Sequence, residues 1–358
     1  MGRVRWWRAV SPVVVAIAAA LILVGALATR VGTPPVTSTE PDRMPGPAVT
    51  VTMGPPRAPL TGEVLPVGVQ LDHPAVAIKI SDVLPAHPQA GVERADIVFV
   101  EPIGDSYTRL AAIFHSDLPE RVGPVRSVRP MDAALLGPLA PVFGNTMGAV
   151  WVVEYVDAVA DLDDLGTLRV AGTGAYEPDN TRPVPDHMFA RPHALLELSD
   201  FRAAPQPYFD YAGEGEHSSA DVAGRPGTAA EVSYGPNWSV TWTYEAESGH
   251  YLRRQPWGPH VTVGGSQVSA ANVLILEVES IIGKIGTGAG APVPVRELVG
   301  ASGPFTALSG GHSVTGTWSK LGVNHRFRLR LDGGGELLLA PGNTWVELPE
   351  PAAVTVLP

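Results

Sequence analysis

Behind Arg3, Arg5 and Arg8 runs a stretch without a single charge, Ala9 to Ala28, broken near its start only by Ser11 and Pro12. Its length of about 20 residues matches a hydrocarbon core roughly 30 Å thick. It has no polar face, so a helix buried in a water-soluble core is a poor alternative. Positive flanks stay on the cytoplasmic side, which puts everything beyond Arg30 outside. Residues 1–30 therefore read as a membrane anchor or signal segment, with the lipid bilayer as partner through 9–28. Ala26-Leu27-Ala28 has the small-x-small form of a signal-peptidase site, so cleavage after Ala28 and secretion is the competing fate. The run is longer than a usual signal core, which favours a single-pass anchor at the cell membrane with an extracytoplasmic body.

The rest of the composition narrows the functions open to that body. A net charge of −11 argues against nucleic-acid partners and against electrostatic adhesion to anionic lipid, since both need a basic face. Any anion bound here must be held by a local basic cluster. The absence of cysteine excludes disulfides, thiolate metal sites, a cysteine nucleophile and a lipid-modified N-terminal Cys. No cofactor is expected.

Residues 31–58 are rich in Pro and Thr, as in Pro34-Pro35 and Pro45-Gly46-Pro47, and read as an extended spacer. From Pro59 the pattern becomes globular. Val76 to Ile80, Asp96 to Val100 and Arg109 to Phe114 read as short strands, apolar enough to be covered on both faces. Pro130 suits the first position of a helix running to Leu136, and a second helix is expected at Pro192 to Leu198. Trp151 to Val159 fits helix or strand. Beyond Gly227 the signals are almost purely β: Ser239 to Tyr244, Tyr251 to Arg254, Val273 to Val278, and a hairpin of Phe327 to Leu331 with Glu336 to Leu339. The expected class is α+β. A mixed α/β domain, its sheet covered by helices, occupies 59–226, and a β-rich domain occupies 227–358; Arg202 to Pro226 forms the join.

Pro59-Leu60-Thr61-Gly62, Pro88-Gln89-Ala90-Gly91 and Tyr107-Thr108-Arg109 resemble segments of the YerB-like bacterial envelope proteins. The likeness is sharpest from Ser116 to Pro130 and extends to Asp186-His187-Met188-Phe189, Gly316 to Lys320 and Pro341 to Leu348. The resemblance implies a two-domain, membrane-attached surface protein and supplies no reaction. Relatives often look like lipoproteins, whereas this chain has no Cys to modify. Relatives also tend to carry His before a Gly-Gly-Ser turn, where this chain has Phe143-Gly144-Asn145-Thr146. If that His does chemistry in relatives, this copy is expected to bind without catalysing.

Arg126 and Arg129 flank Ser127 and precede the helix begun by Pro130, so planar guanidinium forks and a helix start could together hold a carboxylate or phosphate. Arg109, on a strand, could converge there. Alternatively these arginines pair with Glu101, Asp117 or Asp132 to lock a loop. Asp186 beside His187 could orient an imidazole for acid–base work, with Glu101 as carboxylate partner; a histidine simply held in a loop is the commoner case. Asp161, Asp163, Asp164 and Gly166 suggest a calcium loop, but Gly172 falls where its bidentate Glu belongs, so a solvated acidic turn is expected. His187, His193, His312 and His325 lack metal-ligand spacing. Gly283 to Gly290 reads as a glycine turn between strands and not as a phosphate loop. Trp238, Trp242 and Trp257 could form an exposed sugar-stacking row or fill a core, and core duty is expected of Trp318 and Trp345. The leading expectation is a non-enzymatic binder of an anionic wall polymer or an envelope protein. The rival is a hydrolase or transferase acting on an envelope glycan or phosphodiester.

Overall fold

A computed structural model describes residues 55–103, 107–285 and 287–358. The anchor at 9–28, the cleavage site and most of the spacer lie outside the described residues. Among those described, no helix is long and apolar enough to cross a membrane. The described residues belong to one compact unit. The last spacer residues already belong to it: Arg57 bridges to Val64, and Ala58 is buried.

The strands β1 (Val76–Ser81), β2 (Ile97–Pro102) and β3 (Thr108–Phe114) are buried along their whole length. β3 lies antiparallel between β1 and β2, and β4 (Val142–Gly144) and β5 (Asp163–Asp164) continue the sheet in parallel beyond β1. On the other side of β2 lies a strand from the far end of the chain, Thr344–Glu347, parallel to it with Ile97 opposite Thr344 and Val100 opposite Glu347. That strand also pairs with Asn272–Leu276, which leads on through Ser302–Ser309 and His312–Ser319 to Arg328–Leu331. With Arg225–Pro226 added at His312–Ser319, eleven strands form one mixed sheet that runs through both expected domains.

Alternation along the strands sends side chains to two cores. One face carries Ala77, Phe99, Ala111, Leu274 and Val346, and is covered near β1–β3 by α1 (Pro130–Leu136) and α2 (Val150–Val159). The opposite face carries Ile78, Val100, Leu110, Ile275 and Trp345. A second, six-stranded sheet built on Ala229–Ser233, Ser239–Glu245 and His250–Gln255 covers it, and the short helix α3 (Pro192–Leu198) packs near β1 and β4. The fold is α+β and rich in strands. Helices therefore cover the N-terminal sheet on one face, while the other is closed mostly by strands.

Several local expectations change in the structure. Within the join Arg202 to Pro226, Tyr208, Phe209 and Ala212 are buried and Ser219–Ala223 is helical. The hairpin turn after Leu331 forms, but its second arm makes only single bridges, at Glu336 and Leu339. Asp163 and Asp164 form a strand and not a solvated turn; Asp164 is buried and accepts from the Asn145 side chain at 2.7 Å. Trp238 and Trp242 are buried, so these two and Trp257 form no exposed row, and Trp318 and Trp345 fill the core as expected.

Candidate anion-binding site

Lys79 interrupts the apolar strand β1 and points into the helix-covered face, where it is fully buried. An ammonium removed from water needs counter-charges. Two are present: Lys79 Nζ donates to Glu101 Oε1 on β2, and to Asp132 Oδ1 on α1 at 2.6 Å. Burial, then the neighbouring Asp132, pushes the Glu101 carboxyl up to about 8 despite the lysine. Asp132 also caps its own helix, accepting from the Arg129 backbone N–H at 2.6 Å. The start of α1 is thus satisfied from within, and at seven residues α1 offers no anion site of its own.

The arginines stand around this triad. Arg109 lies opposite Glu101 in the β2–β3 register and is 4% exposed. It donates to the Ser127 carbonyl at 3.2 Å, while its Nε has no partner. Burial, followed by repulsion from Arg129 and Arg126, lowers it to about 9. Arg129 spends one N–H on the Val128 carbonyl at 2.9 Å, and burial depresses its pKa too. Arg126 is tied through its backbone to Lys79 and Thr146. Its Nε is 3.5 Å from Asp186 Oδ1, yet neither atom completes a hydrogen bond. The pairing proposed as an alternative for the arginines is taken elsewhere: Lys79 holds Glu101 and Asp132, and Arg94 holds Asp117.

A cleft of about 400 Å³ opens beside Arg129. Ser127, Arg129 and Thr146 give it a polar side, with the two hydroxyls 3.5 Å apart; Ala149, Val152 and Val293 give it an apolar one. Met147 lines it with φ +65°, the left-handed region that a branched or bulky side chain enters only under restraint. The restraints are visible: its N–H donates to Asn145 Oδ1 at 2.6 Å, and its carbonyl accepts from Val128 at 3.0 Å. The glycine turn expected at 283–290 joins the hairpin arms Ser280–Gly283 and Val293–Arg296, and its end walls the cleft at Ala291.

The acid–base pair read from Asp186-His187 is not assembled. Asp186 faces Arg126, and among the described residues no hydrogen bond joins His187 to Asp186 or Glu101. Glu101 is wholly buried and held by Lys79, so a substrate does not reach it in this arrangement. Arg126, Ser127, Arg129 and Arg109 do come together. Lys79 was missed, although a lysine inside Val-Ala-Ile-Lys-Ile is a visible signal: such a strand buries it only with partners.

A second polar cluster on the opposite face also escaped the sequence. Asp82 accepts from Thr108 and Gln255, each at 2.6 Å, and lies 3.3 Å from Arg253, which also approaches Glu347. Burial alone would raise Asp82; Arg253, then His87, instead hold it far below the usual carboxylate range. Asp82, His87 and His260 have ligand atoms within 4.8 Å of one another, a spacing a metal could use. The hydrogen bonds argue against it. Arg253 has only donors, so His260 Nδ1, 3.0 Å away, must accept. The ring proton then sits on Nε2 and goes to Gln89 Oε1 at 2.5 Å, leaving no lone pair for an ion. The cluster ties the two halves of the chain together.

A strand-rich α+β body built on one eleven-stranded mixed sheet defines the class. Residues 60–204 match the family model described as protein of unknown function (DUF3048) N-terminal domain, and residues 230–346 match its C-terminal domain. The chain belongs to this two-domain, YerB-like family. It is 27% identical over 309 residues to a provisionally named lipoprotein, YerB, of Bacillus subtilis (strain 168), covering 82% of this chain and 86% of that protein. The crystal structure of the YerB protein from Bacillus subtilis shares the fold, with a TM-score of 0.72 at 22% identity, covering 84% of this chain and 99% of that one.

Proposed function

We propose that this chain is a membrane-tethered, extracytoplasmic envelope protein that binds an anionic group of a cell-wall polymer in the cleft between Ser127, Arg129 and Thr146. One observation carries the reading. Three guanidinium groups, Arg109, Arg126 and Arg129, repel one another, and Arg129 lines the cleft with N–H groups left over beyond its bond to the Val128 carbonyl. An anion in the cleft would pair with Arg129 and offset the mutual repulsion of the three groups. The tether is the uncharged segment 9–28, and the name of the Bacillus subtilis relative, a lipoprotein, supports an envelope location by a different attachment.

Co-sedimentation of the body, residues 55–358, with purified cell wall tests the reading. The wild type is expected to pellet and the Arg126→Ala/Arg129→Ala variant to stay largely in solution. Equal pelleting of both would reject the cleft as the binding site, and negligible pelleting of both would point to an envelope protein as partner.

A further inference from the structure

We infer that the chain carries a second, separate binding site, a pocket of about 350 Å³ in which Arg296 takes a carboxylate borne on a small apolar body. The hairpin of Ser280–Gly283 and Val293–Arg296 supplies four of the residues that line it. In the hairpin register Ser280 lies opposite Arg296 and Ile282 opposite Pro294, and alternation puts these four on one face. Val293, on the other face, lines the cleft near Ser127 instead. The two sites therefore stand on opposite faces of one hairpin, and neither depends on the other.

Arg296 is the group that points to a ligand. It is 6% exposed and spends Nη1 twice, on the Val278 carbonyl and on Glu350 Oε1, each at 2.6 Å. Its Nε has no acceptor, and Nη2 makes no hydrogen bond among the described residues. These two nitrogens share one edge of the planar guanidinium, the edge that holds both oxygens of a single carboxylate. A buried donor without an acceptor is costly, and an incoming carboxylate removes that cost. Glu350 is half-exposed, so water screens its charge from a second carboxylate. The rest of the lining fixes what the carboxylate is attached to. Ile282, left 70% exposed, shares the pocket with Pro102, Pro236 and Pro294, an apolar surface that a bare ion leaves wet and a carbon skeleton covers.

Isothermal titration of the full-length chain in non-ionic detergent at pH 7.5 tests this, with hexanoate, N-acetyl-leucine, N-acetyl-leucine methyl ester and acetate as probes. Hexanoate or N-acetyl-leucine is expected to bind at least about tenfold tighter than the ester, which lacks the charge, and than acetate, which lacks the apolar body. The better of the two acids shows whether the source is an aliphatic acid or the C-terminus of a peptide. Arg296→Lys keeps the charge without the fork and should weaken binding by about tenfold or more, with a melting curve to confirm that it folds. Glu350→Gln leaves the open edge in place and should bind the same acid equally well or up to about threefold tighter. The site is overturned by an ester that matches its acid, by Arg296→Lys binding at wild-type strength, by a folded Glu350→Gln that no longer binds, or by heat from neither acid.

Discussion

Lys79 shows how much one polar residue in an apolar strand can decide. The strand buries on both faces, so its lysine had to be met by Glu101 and Asp132, and those partners brought β2 and α1 to the same point. The Glu101 carboxyl carries the consequence. Its folded value is near 8, against about 4.5 in the unfolded chain, so between those limits the folded protein holds a proton that the unfolded chain has released. Stability contributed by this group is complete below about 4.5 and is lost as pH rises toward 8. The Glu101 contribution to the melting temperature should therefore fall between pH 6 and pH 9. Lys320, lowered to about 7 by burial, adds stability as pH rises above neutrality and offsets much of that fall, so the Glu101 effect is read from the difference between wild type and a Glu101 variant. Glu101→Gln, which cannot ionise, should show a smaller loss over the same interval in thermal melts; an unchanged pH slope would reject the protonated glutamate.

At the scale of elements, α1 is short and survives because Asp132 serves two masters. Its one carboxylate accepts the Arg129 N–H at the helix start and the Lys79 ammonium beneath it. Loss of the cap alone costs about 1 kcal/mol, and stripping a buried cation of a partner costs about 3–5 kcal/mol. Asp132→Ala should thus cost several kcal/mol in urea unfolding, well beyond a simple cap deletion; a loss near 1 kcal/mol would mean that Glu101 alone suffices for Lys79. A similar economy governs Gly91, whose φ of +80° lets Ala90 bridge to Gly123; a Cβ there would stand 2.6 Å from the Arg121 carbonyl oxygen.

On the scale of the whole molecule, the strand Thr344–Glu347 holds the halves together, hydrogen-bonded to β2 on one side and to Asn272–Leu276 on the other. Glu347 adds a polar tie, accepting from Trp242 at 2.9 Å and Tyr234 at 2.6 Å in the second sheet. A fragment of residues 55–226 would expose the β2 edge and the apolar face that the second sheet covers. It is expected to be aggregated or to lack fixed tertiary structure by near-ultraviolet circular dichroism. A soluble, cooperatively melting fragment would show that the N-terminal segment folds independently.

Most local structure was legible in the chain itself. Apolar β-branched runs marked β1 to β3, Pro130 and Pro192 marked two helices, and the Arg126-to-Arg129 spacing marked the basic side of the cleft, because these depend on neighbours a few residues apart. Lys79 with its two carboxylates, the failed Asp186–His187 pair and the Asp82–Arg253–Glu347 tie were decided only by tertiary structure. The groups that Lys79, Asp186 and Arg253 face come from elements far apart in sequence, and a buried charge chooses its partner by which elements the sheet order sets side by side.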